Sequence, residues 1–214
     1  MYIPAQKSNK TAGCDMIENR RVQKIVTPPT AYAVTVATAK EHMRVKFDDD
    51  DMLIGVYIET ATALCEQILQ RKLITQTWKM YLDYFPNIIT TLFGDLQSVT
   101  HIKYTDLDEA QLTFANTKYD VDIVSVPGRI ILKDAYDWPT TTLNANNPIE
   151  IQFITGYGAS SANVPADIKN AILLTTAHFY ENRENLLISN MSIDKIPMTT
   201  QALLQNHRIW KWIL

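Results

Sequence analysis

The stretch that most constrains the fold is residues 164–184, VPADIKNAILLTTAHFYENRE. Pro165 suits the first helical position, where its missing N–H costs nothing, and Asp167 suits the positive end of the helix dipole. Ile168, Ala171, Ile172, Leu173, Leu174, Ala177, Phe179 and Tyr180 then cover more of the circumference than a single apolar stripe. A surface that wide has to be covered on several sides, by the rest of the chain or by another copy of it. The last turns become polar, with His178, Glu181, Asn182, Arg183 and Glu184. A helix over about 164–185 is predicted, a central post whose far end is built for polar contacts.

A second long helix, over 50–72, follows from Ile54, Tyr57, Ile58, Ala61, Leu64, Cys65, Ile68 and Leu69 at three- and four-residue steps. Its length of roughly 30 Å suits packing along the post, antiparallel or steeply crossed. Arg71 and Lys72 complement its negative end. The acidic run Asp48, Asp49, Asp50, Asp51 lacks the alternating spacing and turn glycine of a calcium loop. It reads as a cap lying in the polarised first turn. A short helix over 36–45 has Thr35 as N-cap, with Thr38 and Glu41 a competing capping box. A last helix, over 199–208, follows Pro197, Thr199 and Thr200, and residues 186–192 read as irregular.

From Thr75 the period changes to two: Trp78, Met80, Leu82 and Tyr84 face one way, Thr77, Lys79, Tyr81 and Asp83 the other. Further strands are predicted over 88–93, 98–105, 111–114, 119–121, 129–133 and 149–155, with turns at 106–109, Pro127-Gly128 and 144–148. The fold class is therefore α+β: a helical bundle core with an antiparallel β unit inserted over about 75–158. Three parts are expected. They are an N-terminal arm at 1–34, the main domain at 35–188, and a C-terminal helix with a docking tail at 189–214.

Charge narrows the function classes. The 214-residue chain carries a net −3, which gives no global attraction to nucleic acid. The arm is the exception: Lys7, Lys10, Arg20, Arg21 and Lys24 stand against Asp15 and Glu18, a balance of +3 that leaves −6 for the remainder. Such an arm is either flexible or laid along a partner. Cys14 and Cys65 make no disulfide framework, so reduced thiols and an intracellular origin are expected. No apolar run long enough for a bilayer and no signal-peptide pattern is read, so a soluble protein made in the cytoplasm is expected.

The chain finishes Arg208-Ile209-Trp210-Lys211-Trp212-Ile213-Leu214, with two of its four tryptophans in the last five residues. Trp and Arg dominate protein–protein anchoring, so these seven residues read as a docking peptide. The alternatives are that they fold back on their own core or, third in order, that they sit on a membrane surface.

Motifs for chemistry are nearly absent. His178 and Glu181 lie three apart on a helix, but a di-metal carboxylate bundle needs several carboxylates and a second such pair, and the His-Glu-x-x-His pattern is missing. His42, His101, His178 and His207 fall one per element. Gly156-x-Gly158 lacks the third glycine of a dinucleotide loop, and there is no nucleophile elbow, phosphate loop or Cys-x-x-Cys. No catalytic residue, metal ligand or cofactor is expected. Two rivals stay open: a metal-dependent hydrolase using His178 and Glu181, with His42 or Glu184 as third ligand, and a small DNA-binding module using the basic arm.

The order of several short motifs resembles the bacteriophage head–tail connector family, also called head-completion or adaptor proteins. They are Thr27-Pro28-Pro29, Ala39-Lys40-Glu41-His42-Met43-Arg44-Val45, Asp50-Asp51-Met52-Leu53-Ile54, Leu73-Ile74-Thr75-Gln76-Thr77-Trp78 and Leu82-Asp83-x-Phe85-Pro86. Leu96-Gln97-Ser98-Val99, Tyr119-x-Val121-Asp122, Pro127-Gly128-Arg129-Ile130 and Trp138-Pro139 follow. The strongest is Thr155-Gly156-Tyr157-Gly158, then Val164-Pro165, Ala171-Ile172-Leu173-Leu174 and Ala177-His178-Phe179-Tyr180-Glu181-Asn182-Arg183-Glu184. The resemblance spans about 27–207 and does not include the basic arm or the Trp-rich tail.

The resemblance implies a structural virion protein of a tailed-phage neck. It would form a homo-oligomeric ring, usually a dodecamer, between the portal protein and the tail, stopper or tail-terminator protein. Genomic DNA would pass through without sequence-specific binding, and no membrane is involved. A ring needs two different surfaces per subunit. On this reading His178, Tyr180, Glu181, Arg183 and Glu184 lie at a subunit contact, and residues 208–214 grip the portal.

Overall fold

The structure, a computed structural model, describes residues 21–183 and 198–209. The three- and four-residue apolar spacing of the long helices is realised as α2 (Asp51–Leu69) and α3 (Ala166–Glu181). Ile54, Ile58, Ala61, Cys65 and Leu69 of α2 share one buried cluster with Ile168, Ala171 and Ile172 of α3. The two run antiparallel, since Asp50 at the head of α2 bonds Tyr180 near the end of α3, and the Tyr57 and Phe179 rings lie 6.2 Å apart. Ala39 of α1 (Val36–Met43) and Leu204 of α4 (Met198–Gln205) close the cluster. Thr35 caps α1 as its sequence predicts, its hydroxyl accepting the Thr38 N–H at 3.2 Å.

Within the subunit the apolar girdle of α3 is covered only in part: Leu173, Leu174, Ala177 and Phe179 are half-exposed, whereas Thr175 and Thr176 are buried. Thr175 tolerates this because its hydroxyl donates to the Ala171 carbonyl at 2.8 Å. In addition, α2 is long and apolar enough by length and composition to cross a membrane, with a mean hydropathy of 1.3. The expectation that no apolar run is long enough for a bilayer is corrected on length and composition alone; Ile54, Ile58, Ala61, Cys65 and Leu69 of this helix are buried in the subunit core.

The inserted unit, joined by one strand from ahead of the helices, forms two antiparallel sheets. The larger has the order β1-β2-β8-β4-β5, from β1 (Val22–Thr27), β2 (Gln76–Leu82), β8 (Ile149–Thr155), β4 (Leu96–Thr105) and β5 (Gln111–Phe114). The smaller has the order β3-β7-β6, from β3 (Ile88–Thr90), β7 (Arg129–Leu132) and β6 (Tyr119–Asp122). Alternation sets the core between them. Met80 and Leu82 of β2, Ile149, Ile151 and Phe153 of β8 and Ile102 of β4 meet Ile89, Tyr119 and Ile130 of the small sheet. Beside them Phe85 and Trp138 stack with ring centroids 4.7 Å apart. Within residues 1–34 the stretch Val22–Thr27 is an edge strand, paired with β2 and breaking register between Ile25 and Thr27.

The other face of the large sheet is polar. Glu150 accepts bonds from Tyr81 Oη at 3.2 Å and Lys79 Nζ at 2.9 Å, and His101 Nε2 lies 3.1 Å from it. Burial pushes the Glu150 carboxyl up, but the bonds from His101 and Lys79 outweigh it and hold it below the ordinary carboxylate range. A depressed folded value means stability that is present above the unfolded value, about 4.3, and lost as pH falls through the folded one. Glu150→Gln is therefore expected to flatten the acid limb of a melting-temperature profile below about pH 4.3. An acid limb as steep as that of the parent chain would assign it to other carboxylates.

Candidate functional site

The polar end of α3 works first inside the subunit. Asp50 occupies the N-cap position of α2, yet its carboxylate makes no cap bond. It turns instead to α3, accepting from Tyr180 Oη at 2.6 Å and from Arg183 at 3.0 Å, and the Arg183 guanidinium lies over the Tyr180 ring at 5.0 Å. The Tyr180 hydroxyl, with Arg183 behind it, holds the Asp50 carboxyl below its usual range, and Asp50 in turn raises the Tyr180 phenol. Asp48 and Asp51 both pair with Lys40 of α1. The acidic run thus ties α1, α2 and α3 together instead of capping by side chain, and only Asp51 keeps the expected place in the first turn.

The remaining residues expected at a subunit contact are divided. His178 and Glu181 are exposed at this end, with His178 Nδ1 3.3 Å from the Asn182 amide. Tyr180 and Arg183 are engaged by Asp50, and Glu184 lies outside the described residues. Among the described residues no group of three or more His, Cys, Asp or Glu side chains gathers as a metal set, so His178 and Glu181 have no third ligand there.

A second constellation, which sequence reasoning missed, stands where the chain approaches its C-terminus. Arg71, just past α2, reaches both carboxylate oxygens of Asp95 at 2.7 Å and donates its Nε–H to the His207 carbonyl at 2.7 Å. Its guanidinium also lies 5.8 Å from the Tyr157 ring centre. Ile209 donates its N–H to the Leu69 carbonyl at 3.1 Å and sets its side chain against Gly94, where a Cβ would lie 2.6 Å from Ile209 Cδ1. Of the predicted docking peptide, Ile209 is therefore buried in its own subunit. Arg208 borders a cleft of about 240 Å³ with Gln67, Ile68, Gln201 and Gln205. Trp210, Lys211, Trp212, Ile213 and Leu214 lie outside the described residues. No local sequence signal marks the Arg71–Asp95 pair, because its members are 24 positions apart and neither belongs to a motif.

Residues 33–119, which span α1, α2 and β2 to β5, match the phage gp6-like head-tail connector protein family. The match covers the helices α1 and α2 and the first strands, 87 of the 214 residues, and the matched family is one of structural head–tail connector proteins. No curated protein matches the chain.

Solved structures match the chain over most of its length. A chain from the neck of an empty gene transfer agent particle, solved with C6 symmetry, superposes with a TM-score of 0.73 at 21% identity, covering 89% of this chain and 96% of that one. A chain from the virion of a native gene transfer agent particle gives 0.73 at 21% identity, over 88% and 96%. A third, from the neck of a native particle solved with C12 symmetry, gives 0.72 at 21%, over 89% and 96%. The likeness is one of fold, and it covers more of the chain than the matched family stretch.

Proposed function

We propose that the protein is a head–tail connector, a virion neck subunit that forms a ring between the portal and the tail or stopper and lengthens the DNA channel. The observation that carries this reading is the family match over 33–119 within a fold shared almost end to end with neck proteins of a phage-like particle. The ring of twelve is read from the resemblance alone; the similar neck chains come from particles treated with C6 and with C12 symmetry. His178 and Glu181, exposed beside the Asp50 tie, are offered to a neighbouring subunit, with Glu184 just beyond. Tyr180 and Arg183 hold that end in shape.

The gripping role falls on residues 210–214, because Ile209 is already held by Leu69 and Gly94 and Arg208 lies beside it. Removing residues 210–214 is expected to leave a folded subunit, with melting temperature unchanged, that no longer joins portal-bearing heads. Native mass spectrometry with and without purified portal reads both the ring and the loss. Heads that still acquire the truncated chain would refute the grip, and a full-length chain that stays monomeric on portal would refute the ring.

A further inference from the structure

Two surfaces of the protein are left open on opposite sides of its central helix pair. The first is a knob. Met52 is 87% exposed and Val56 52% exposed on the outer face of α2. Each stands two residues from a buried partner, Met52 from Ile54 and Val56 from Ile58, about 200° round the helix. The knob therefore points directly away from α3. Gly55 beside it has nothing within 4 Å of where a Cβ would lie, so the flank of the knob is open too.

The second surface is a hole of about 290 Å³, lined chiefly by Ala33, Val34, Thr38, Ala166, Lys169 and Leu173. Ala166, Lys169 and Leu173 share one face of α3 at steps of three and four. That face lies two residues, again about 200°, from the buried Ile168, Ala171 and Thr175. The hole therefore looks away from α2. Its lining is more apolar than polar, and Leu173, one of the positions that made the α3 girdle too wide, is half-exposed in its wall.

Charge marks the two surfaces as complements. Lys169 in the wall of the hole has no ion-pair partner among the described residues, and neither has the exposed Glu59, one turn beyond Val56 on the knob face. A closed ring needs two unlike patches on opposite flanks of each subunit, each fitting the next copy's other patch. An exposed methionine beside an open glycine suits such a contact, because the unbranched thioether adapts to an irregular recess.

We infer that the occupant of the hole is a second copy of this chain: Met52 and Val56 of one subunit seat against Leu173, Ala166 and Ala33 of the next, with Glu59 meeting Lys169. This rests on the ring reading above and names the faces that form it. The two faces lie at opposite ends of the antiparallel pair, so α2 and α3 cross the ring wall obliquely.

The test is a pair of cysteines, Met52→Cys with Leu173→Cys, in a full-length Cys14→Ser chain assembled on purified portal and mildly oxidised. A ladder of covalent multimers in denaturing gels is expected, absent from either single variant. Rings seen by native mass without a ladder would overturn this contact and leave the ring reading standing. A chain that forms no oligomer on portal would overturn both. Met52→Glu, at a site too exposed to disturb folding, is expected to abolish ring formation with an unchanged melting temperature. Rings formed by Met52→Glu as readily as by the parent chain would also overturn the contact.

Discussion

Gly156→Ala is expected to be the most damaging single substitution in the chain. Gly156 has φ +130°, a region that only glycine enters freely, and a Cβ there would lie 2.7 Å from the Ile74 carbonyl carbon and oxygen and 2.8 Å from the Thr75 nitrogen. All three are backbone atoms, so no rotamer change relieves the contact. The same turn is bonded on every side: Gly156 N–H to the Asp95 carbonyl at 3.1 Å, its carbonyl to the Gln97 amide at 2.7 Å, and Tyr157 N–H to the Leu73 carbonyl at 3.1 Å. Backbone strain of this kind costs about 1–3 kcal/mol before the clash is counted. A loss of at least about 3 kcal/mol follows, large against a total stability of about 5–15 kcal/mol. The melting temperature should fall by roughly 6–12 °C for a chain of this size. A fall under about 2 °C would mean that the turn relaxes more freely than its packing implies.

Arg71→Met comes next. It keeps much of the side-chain volume but removes the charge that answers Asp95, in a pair whose side chains are only 15% and 21% exposed. Removing one member of a buried pair costs about 3–5 kcal/mol, because the other charge is left desolvated. Some water reaches this pair, which places the expected loss at the lower end, about 3 kcal/mol. A denaturant double-mutant cycle separates the causes. With Asp95→Leu added, stability should partly return, since no unpaired carboxylate remains. Asp95 also has φ 58°, so the leucine brings strain of its own and recovery should be incomplete. If the double variant is as unstable as the sum of the two single ones, the guanidinium acts chiefly through His207 and Tyr157.

These two sites also show where sequence reading reached its limit. The helices were legible because burial on one side leaves a 3.6-residue period: α1 begins at its predicted cap, and α2 and α3 fall inside their predicted spans. Strands flanked on one side by water were legible for the same reason, and β5 and β8 have the predicted bounds. Strand β1 was not, because it lies on an edge and its apolar Ile25 and Val26 are both exposed, so no alternation records which side is inside. The aspartate run was placed correctly at the head of α2, but its partners Tyr180 and Arg183 are brought there only by the antiparallel packing of α3. Arg71, Asp95, Gly94 and Ile209 meet for a tertiary reason alone. Nothing within a few residues of any of them anticipates the others.

One cation at that meeting point has a mechanical corollary. Arg71 follows directly on the end of α2, and its guanidinium is fastened at once to the turn before β4 through Asp95 and to the turn after α4 through His207. Tension on the C-terminus would therefore be divided immediately between the helix bundle and the β barrier behind it, rather than peeling α4 away first. Because that rivet is mostly shielded from solvent, its holding strength should change less with ionic strength than that of an exposed ion pair.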